Sequence, residues 1–286
     1  MATERTGRLD RGDGVELAWA ELPGRSPTVV FLGGLRSDME GSKALFLREH
    51  CAAHGHSFLR LDYSGHGGSG GDFLDGTVGQ WAEDAAAVIS ARAPGPVVLV
   101  GSSLGGWIAL LLARRWGSAR VRAMVGIAAA PDFTQDLIPA ELTEAERAAV
   151  VRDGVAYRPS AYGDPMPITA RLLEEGRQHL LLNGGGIAYD GPVRLMQGMA
   201  DPDVPWRHAL RVVDALPGPD VQLALIRDGD HRLFHRDAGY LEGRRVRRSR
   251  EMRAMSNRTS FGKELIAGQW AAAEFGALSH LWEVGR

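Results

Sequence analysis

The chain has 286 residues, 44% of them hydrophobic and 24% charged, which excludes a disordered or fibrous protein and suits one large α/β unit carrying an insertion. Its 33 basic and 35 acidic residues leave a net charge of −2, so no overall field gathers a polyanion and no nucleic-acid partner is expected. Cys51 is the single cysteine, which excludes an intrachain disulfide and a thiolate zinc cluster and fits a reducing, cytoplasmic compartment.

The amino terminus has no apolar run of signal-peptide length, and no stretch reaches the ~18 apolar residues of a membrane span, so no membrane association is expected. Only Lys43 and Lys263 are lysines, an arginine bias that reads as a GC-rich bacterial genome. After a polar start, 15–22 reads as a strand and 28–32 as a buried strand, followed by a helix over 42–54. Strand 57–62, helix 78–92, strand 97–101, helix 104–116 and strand 121–128 continue the alternation, which implies right-handed crossovers and a mostly parallel sheet.

The alternation stops near Pro131 and resumes with strand 193–198, helix 206–216 and strand 221–226. Between them lie an expected helix near 141–153, a loop punctuated by Pro159, Pro165 and Pro167, and a helix near 168–182. Residues 1–130 and 191–235 are therefore expected to form the core, with 131–190 a helical cap over the strand ends. Residues 236–258 set eight arginines against three acids, and from 262 onward apolar residues recur at helical spacing. The segment 236–286 thus reads as an atypical Arg-rich extension ending in an amphipathic helix, whose basic run is either a solvated face or a surface for an acidic partner.

Gly101-Ser102-Ser103-Leu104-Gly105 fits Gly-x-Ser-x-Gly between an apolar strand and an apolar helix. A serine on so sharp a turn needs small neighbours, because strand and helix backbones nearly touch there. Its hydroxyl is a poor nucleophile until a base takes its proton and a carboxylate fixes that base's tautomer. Asp201 and Asp203 lie just past strand 193–198, and His231 lies just past strand 221–226. The expected triad is Ser103, Asp201 and His231, with Asp203 and His235 as weaker substitutes. The backbone N–H groups of Leu35 and Leu104 are the expected oxyanion hole, where losing one donor typically costs about 3 to 4 kcal/mol. Gly65-His66-Gly67-Gly68-Ser69-Gly70 mimics a dinucleotide-binding turn, yet no helix opens inside it, so nucleotide binding is not expected.

The stretches FLGGLRSDMEGSKALFL, LDYSGHGGSGG, GSSLGGW, EEGRQHLLL, QGMADPDVPW and DGDHRL resemble the α/β-hydrolase superfamily. Within it they are similar to the subgroup of mitochondrial palmitoyl-protein thioesterases and acyl-glucuronide esterases with their bacterial relatives. The resemblance covers roughly 29–233 and implies the α/β-hydrolase fold, the same three catalytic residues, hydrolysis of small-molecule acyl esters or thioesters, and no cofactor or metal. Trp107 and Trp206 either line an acyl pocket or belong to plain core, and Arg36, Arg171, Arg177 and His179 either meet a carboxylate on the leaving group or are solvated. A serine at 103 disfavours dehalogenase or epoxide-hydrolase chemistry. An acyltransferase, a C–C hydrolase, a perhydrolase or a non-hydrolytic ligand receptor remain alternatives on the same fold.

Overall fold

The apolar runs pair into one eight-stranded sheet in a computed structural model that describes residues 3–160, 163–183 and 186–233. The strands in chain order are β1 (Arg5–Asp10), β2 (Glu16–Leu22), β3 (Arg25–Leu32), β4 (His56–Leu61), β5 (Val97–Ser102), β6 (Val121–Ile127), β7 (Val155–Ser160), β8 (Gly163–Thr169), β9 (Val193–Gly198) and β10 (Val221–Ile226). Their spatial order in the large sheet is β1-β2-β4-β3-β5-β6-β9-β10. β2 is antiparallel to both β1 and β4, and every other pairing of this sheet is parallel. The helices are α1 (Ser42–His54), α2 (Val78–Arg92), α3 (Leu104–Arg120), α4 (Phe133–Asp136), α5 (Ile138–Glu141), α6 (Glu144–Asp153), α7 (Ala170–Gly176) and α8 (Trp206–Ala215). Gly117 leaves helical geometry at φ 66° and ends the regular part of α3.

Alternate residues of the central strands feed two separate cores, as the two-residue period of a strand requires. Val97 and Leu99 pack with α2 and α3 on one face, while Val98 and Val100 pack with Ala44, Leu47 and Cys51 of α1 on the other. Burial pushes the Cys51 thiol up to about 12, so this cysteine behaves as an inert apolar side chain. Residues 104–113 are buried without exception, because that stretch is apolar all round and lies between sheet and neighbouring helices. Among the described residues no helix is long and apolar enough to cross a membrane.

Three elements differ from the sequence-based expectation. The polar stretch RTGRLD is β1, an edge strand whose residues are exposed or half-buried, so it carries no apolar signal. The proline-punctuated stretch is not a loop but the antiparallel hairpin β7–β8, and a two-stranded ribbon leaves many N–H groups unpaired, so prolines are tolerated on it. The long helix over 168–182 stops at Gly176 and continues only as a 3₁₀ turn, Arg177–His179. The inserted segment is therefore of mixed α and β structure, not purely helical. The basic run, the terminal amphipathic helix and His235 lie outside the described residues.

Asp132, at the start of this segment just past β6, fastens the segment's far end. It is fully buried in the left-handed region (φ 59°), and its carboxylate accepts the N–H groups of Leu181 (2.8 Å), Leu182 (2.8 Å) and Asn183 (3.3 Å). Asp132→Ala leaves these donors without an acceptor and should lower the unfolding free energy by about 3 kcal/mol, with Asp132→Asn intermediate; equal urea midpoints for the three proteins would contradict this.

Candidate active site

The turn between β5 and α3 is forced by backbone contact. A Cβ on Gly101 would run into the carbonyl of Gly105, one on Gly105 into the carbonyl of Leu32, and one on Gly106 would lie 2.5 Å from Cβ of Ala129. Ser103 at the bend adopts φ 54° and ψ −116°, a conformation that costs a non-glycine residue about 1–3 kcal/mol. Four backbone hydrogen bonds hold it: its N–H donates to Ile127, and its carbonyl accepts from Gly106, Trp107 and Ala130.

The loops after β9 and β10 also touch backbone to backbone, since a Cβ on Gly198 would overlap the carbonyl of Gly229. This contact brings Asp201 and His231 together. Nε2 of His231 lies 3.1 Å from Oγ of Ser103, and Nδ1 lies 2.9 Å from Oδ2 of Asp201. Buried Asp201 also accepts the N–H groups of Asp203 (2.8 Å) and Val204 (2.9 Å) on Oδ1, and the side-chain amide of Gln197 (2.8 Å) on Oδ2. Asp203, the substitute acid, contributes its backbone N–H while its side chain stays exposed.

Burial works to raise the Asp201 carboxyl, but the hydrogen bond and charge of His231, with the two backbone N–H groups, outweigh it and hold the carboxyl below 3.8. Donor atoms of Asp201, Asp203 and His231 lie within 4.8 Å of one another, a spacing a cation could use. Both imidazole nitrogens are already turned to Asp201 and Ser103, however, which suits proton transfer.

The loop Gly33–Ser37 runs beside the Ser103 turn, with a Cβ position on Gly34 only 3.4 Å from Cβ of Ser103. Buried Tyr63 fixes this loop by donating its hydroxyl to the carbonyl of Gly33 (3.1 Å). The N–H groups of Leu35 and Leu104 have no acceptor among the described residues, and Leu104 is the first residue of its helix. Ser103, His231 and Leu35 all line a cavity of about 1030 Å³. Phe133, Leu137, Ile138, Met166 and Ile168 of the inserted segment supply its apolar wall, while Arg36, Ser37, Lys43 and Arg232 are on its polar side.

Of the expected pocket residues only Arg36 is on this wall. Trp107 does not line it: the ring is fully buried against Phe133 and its Nε1–H donates to the carbonyl of His179 (3.1 Å). Trp206 does not line it either, and at the start of α8 it stacks under Arg207. Arg171 faces Asp75, Arg177 donates to Gln135, and His179 pairs with Glu175, so these three hold surface and inserted elements together. The Gly65–Gly70 stretch is a structural loop: Ser69 and Gly70 bond to β2, Gly68 donates to Asp62, and buried His66 sits among Tyr63, Phe73 and Trp81. Sequence reasoning missed Gln197, Tyr63 and Lys43, none of which belongs to the nucleophile motif.

The depressed Asp201 carboxyl has a consequence for stability. A group lowered in the folded state stabilises fully above its ordinary value near 3.8, and the contribution vanishes as pH falls through the lower folded value. Asp201→Asn should therefore be less stable than wild type by about 2 kcal/mol near neutral pH, with the gap closing in strong acid. Urea unfolding at a series of pH values tests this, and a pH-independent gap would contradict it.

The profile of the Alpha/beta hydrolase family matches residues 29–246. The mitochondrial palmitoyl-protein thioesterase ABHD10 of Mus musculus is 38% identical over 227 residues, covering 79% of this chain and 75% of that protein. The Homo sapiens protein of the same name is 38% identical over 232 residues, covering 79% and 73%. The solved structure of the mouse alpha/beta hydrolase domain-containing protein 10 superposes with a TM-score of 0.73 at 36% identity, over 80% of this chain and 91% of that one. The crystal structure of a protein from Agrobacterium vitis S4 gives 0.75 at 43% identity, over 82% and 93%.

Proposed function

The chain belongs to the alpha/beta hydrolase family, and from that membership we propose a serine hydrolase that cleaves carboxylic esters or acyl thioesters through an acyl-enzyme on Ser103. The observation that carries the catalytic assignment is the hydrogen-bonded chain from Ser103 Oγ through His231 to Asp201, at 3.1 and 2.9 Å. The relatives' thioesterase name favours the thioester among the two substrate classes.

In the first stage Nε2 of His231 takes the hydroxyl proton as Oγ of Ser103 attacks the acyl carbon. Negative charge builds on the carbonyl oxygen, where the N–H groups of Leu35 and Leu104 are the donors. The imidazolium, held in orientation by Asp201, then gives its proton to the departing oxygen or sulfur. In the second stage His231 deprotonates a water that attacks the acyl-enzyme, and the carboxylic acid leaves. Asp201 stays ionised throughout, and its four hydrogen-bond partners keep it so.

The segment 131–190 acts in this reading as a cap whose apolar residues receive the acyl chain. A cavity of about 1030 Å³ exceeds the needs of a short acyl group. The single, buried cysteine supports a reducing compartment.

Fluorophosphonate labelling should be strong in the wild type and absent in Ser103→Ala, and robust turnover by that variant would eliminate the proposal. Asp201→Asn should lower kcat by about 10⁴-fold with the fold retained. Across p-nitrophenyl esters and acyl thioesters of graded length, each methylene accommodated should raise kcat/KM by an amount worth roughly 1 kcal/mol. A profile flat in chain length would remove the acyl role of the cap.

A further inference from the structure

The carbonyl of Gly34 accepts the N–H of Ser37 at 3.0 Å, which closes a four-residue turn with Leu35 and Arg36 at its centre. Arg36 adopts φ 56° there, a left-handed conformation that glycine or asparagine takes up with less strain than an arginine. The backbone of the turn gives no reason for an arginine at this position. The reason lies in the side chain.

The guanidinium Nη1 donates to the carbonyls of Asp164 (3.2 Å) and Pro165 (2.8 Å), the second and third residues of β8, and Cζ lies 6.0 Å from the centre of the Phe73 ring. Arg36 and Asp164 both line the cavity in front of Ser103, so the link runs across its wall. Arg158 of β7 pairs with Glu141 inside the inserted segment, and that pair does not reach the core. Arg36 does.

What adjoins each end of the link decides its use. Met166 follows Pro165 directly, and Met166 and Ile168, two residues apart on one strand, share the face that contributes to the apolar wall. Leu35 precedes Arg36 directly, and its N–H is one of the two donors assigned to the transition-state oxygen in the proposed reaction. Acyl wall and oxyanion donor therefore each lie one residue away from the same guanidinium–carbonyl contact.

We propose that Arg36 is a positioning residue through which occupancy of the apolar wall sets the placement of the Leu35 N–H, so that longer acyl chains are selected through kcat as well as through KM. This role rests on the hydrolase reading above. A chain packed on Met166 and Ile168 steadies β8, the carbonyls of β8 steady Arg36, and Arg36 steadies Leu35. A short chain leaves the wall empty and the donor less well held. The bond from this N–H strengthens as charge develops on the acyl oxygen, so the gain falls in the transition state.

The test compares acetyl and octanoyl thioesters of N-acetylcysteamine, which share one neutral leaving group. Wild type should turn over the octanoyl compound with a kcat roughly tenfold above that of the acetyl compound. Arg36→Asn, which suits the left-handed backbone but cannot reach β8, should bring this kcat ratio near one while the KM ratio, set by the wall, is retained. Arg36→Lys, which keeps a donor for the two carbonyls, should restore much of the kcat ratio. A contact between Arg36 and the acyl chain would change the KM ratio instead, and a merely structural role would lower kcat for both chains by one factor. Either result overturns the proposal, as does a wild-type kcat that is flat in chain length. Where urea unfolding finds Arg36→Asn destabilised, Arg36→Gly, which relieves the turn, gives the same reading. The limiting rate of Ser103 labelling by octyl and methyl fluorophosphonates reads the link without turnover. An octyl preference abolished by Arg36→Asn, in a wild type that hydrolyses neither ester nor thioester, would sink the hydrolase reading and leave the link. Turnover with a kcat ratio untouched by Arg36→Asn would do the reverse.

Discussion

The whole arrangement depends on how closely α3 starts against β3 and β5. Gly101 and Gly105 leave no room for a Cβ because carbonyls of Gly105 and Leu32 already occupy those positions. That approach allows no gradual exit from the strand, so Ser103 must reverse direction in a single residue at φ 54°. Its hydroxyl is consequently lifted clear of the sheet, and the N–H of Leu104 begins the helix with no acceptor among the described residues. The strain is local and is offset by the four hydrogen bonds at the Ser103 backbone and by the unbroken burial of 104–113 behind it.

A second close approach positions the other two groups of the proposed triad. Gly198 and Gly229 let the loops after β9 and β10 meet, and Asp201 then hangs from one loop while His231 reaches across from the other. The carboxylate is orientated less by His231 than by its surroundings, since two backbone N–H groups occupy one oxygen and Gln197 shares the second. Gln197 is itself fixed, its amide donating also to the carbonyl of Val204 (2.9 Å). An acid held from several sides can orient an imidazole without becoming protonated, which is the role that such a group needs.

The sheet was legible because its central strands are buried on both faces and so read as uninterrupted apolar runs between Gly and Pro, as at 97–101 and 193–198. Ser103 and Asp201 were legible because each follows such a strand, while His231 follows the edge strand β10, whose run VQLALI is apolar enough to read as a strand although its residues are exposed or half-buried. Two things hid the rest. Edge elements such as β1 and the β7–β8 hairpin are stabilised by backbone pairing that leaves little trace in residue type. Pocket-lining, in turn, depends on where a helix face points: Trp107 shares α3 with the Ser103 turn but faces Phe133, while Lys43, which the sequence did not single out, lines the cavity. Residue type predicted chemistry better than it predicted orientation.

The loop Gly33–Ser37 and the inserted segment are mechanically joined, and the joint is Arg36. Its backbone is in the left-handed region at φ 56°, immediately after Leu35, and its guanidinium donates to the carbonyls of Asp164 (3.2 Å) and Pro165 (2.8 Å) at the start of β8. Both acceptors are main-chain atoms, so the link reads the position of the hairpin and not its side chains. A displacement of the hairpin therefore pulls on the residue next to Leu35, whose N–H is one of the two donors assigned to the transition-state oxygen. Met166 and Ile168, which contribute to the apolar wall, lie on the same strand. In the proposed reaction, seating of an acyl chain against that wall and alignment of the Leu35 N–H are thus coupled through one side chain, which gives binding energy from a remote part of the substrate a physical route to the reacting carbon.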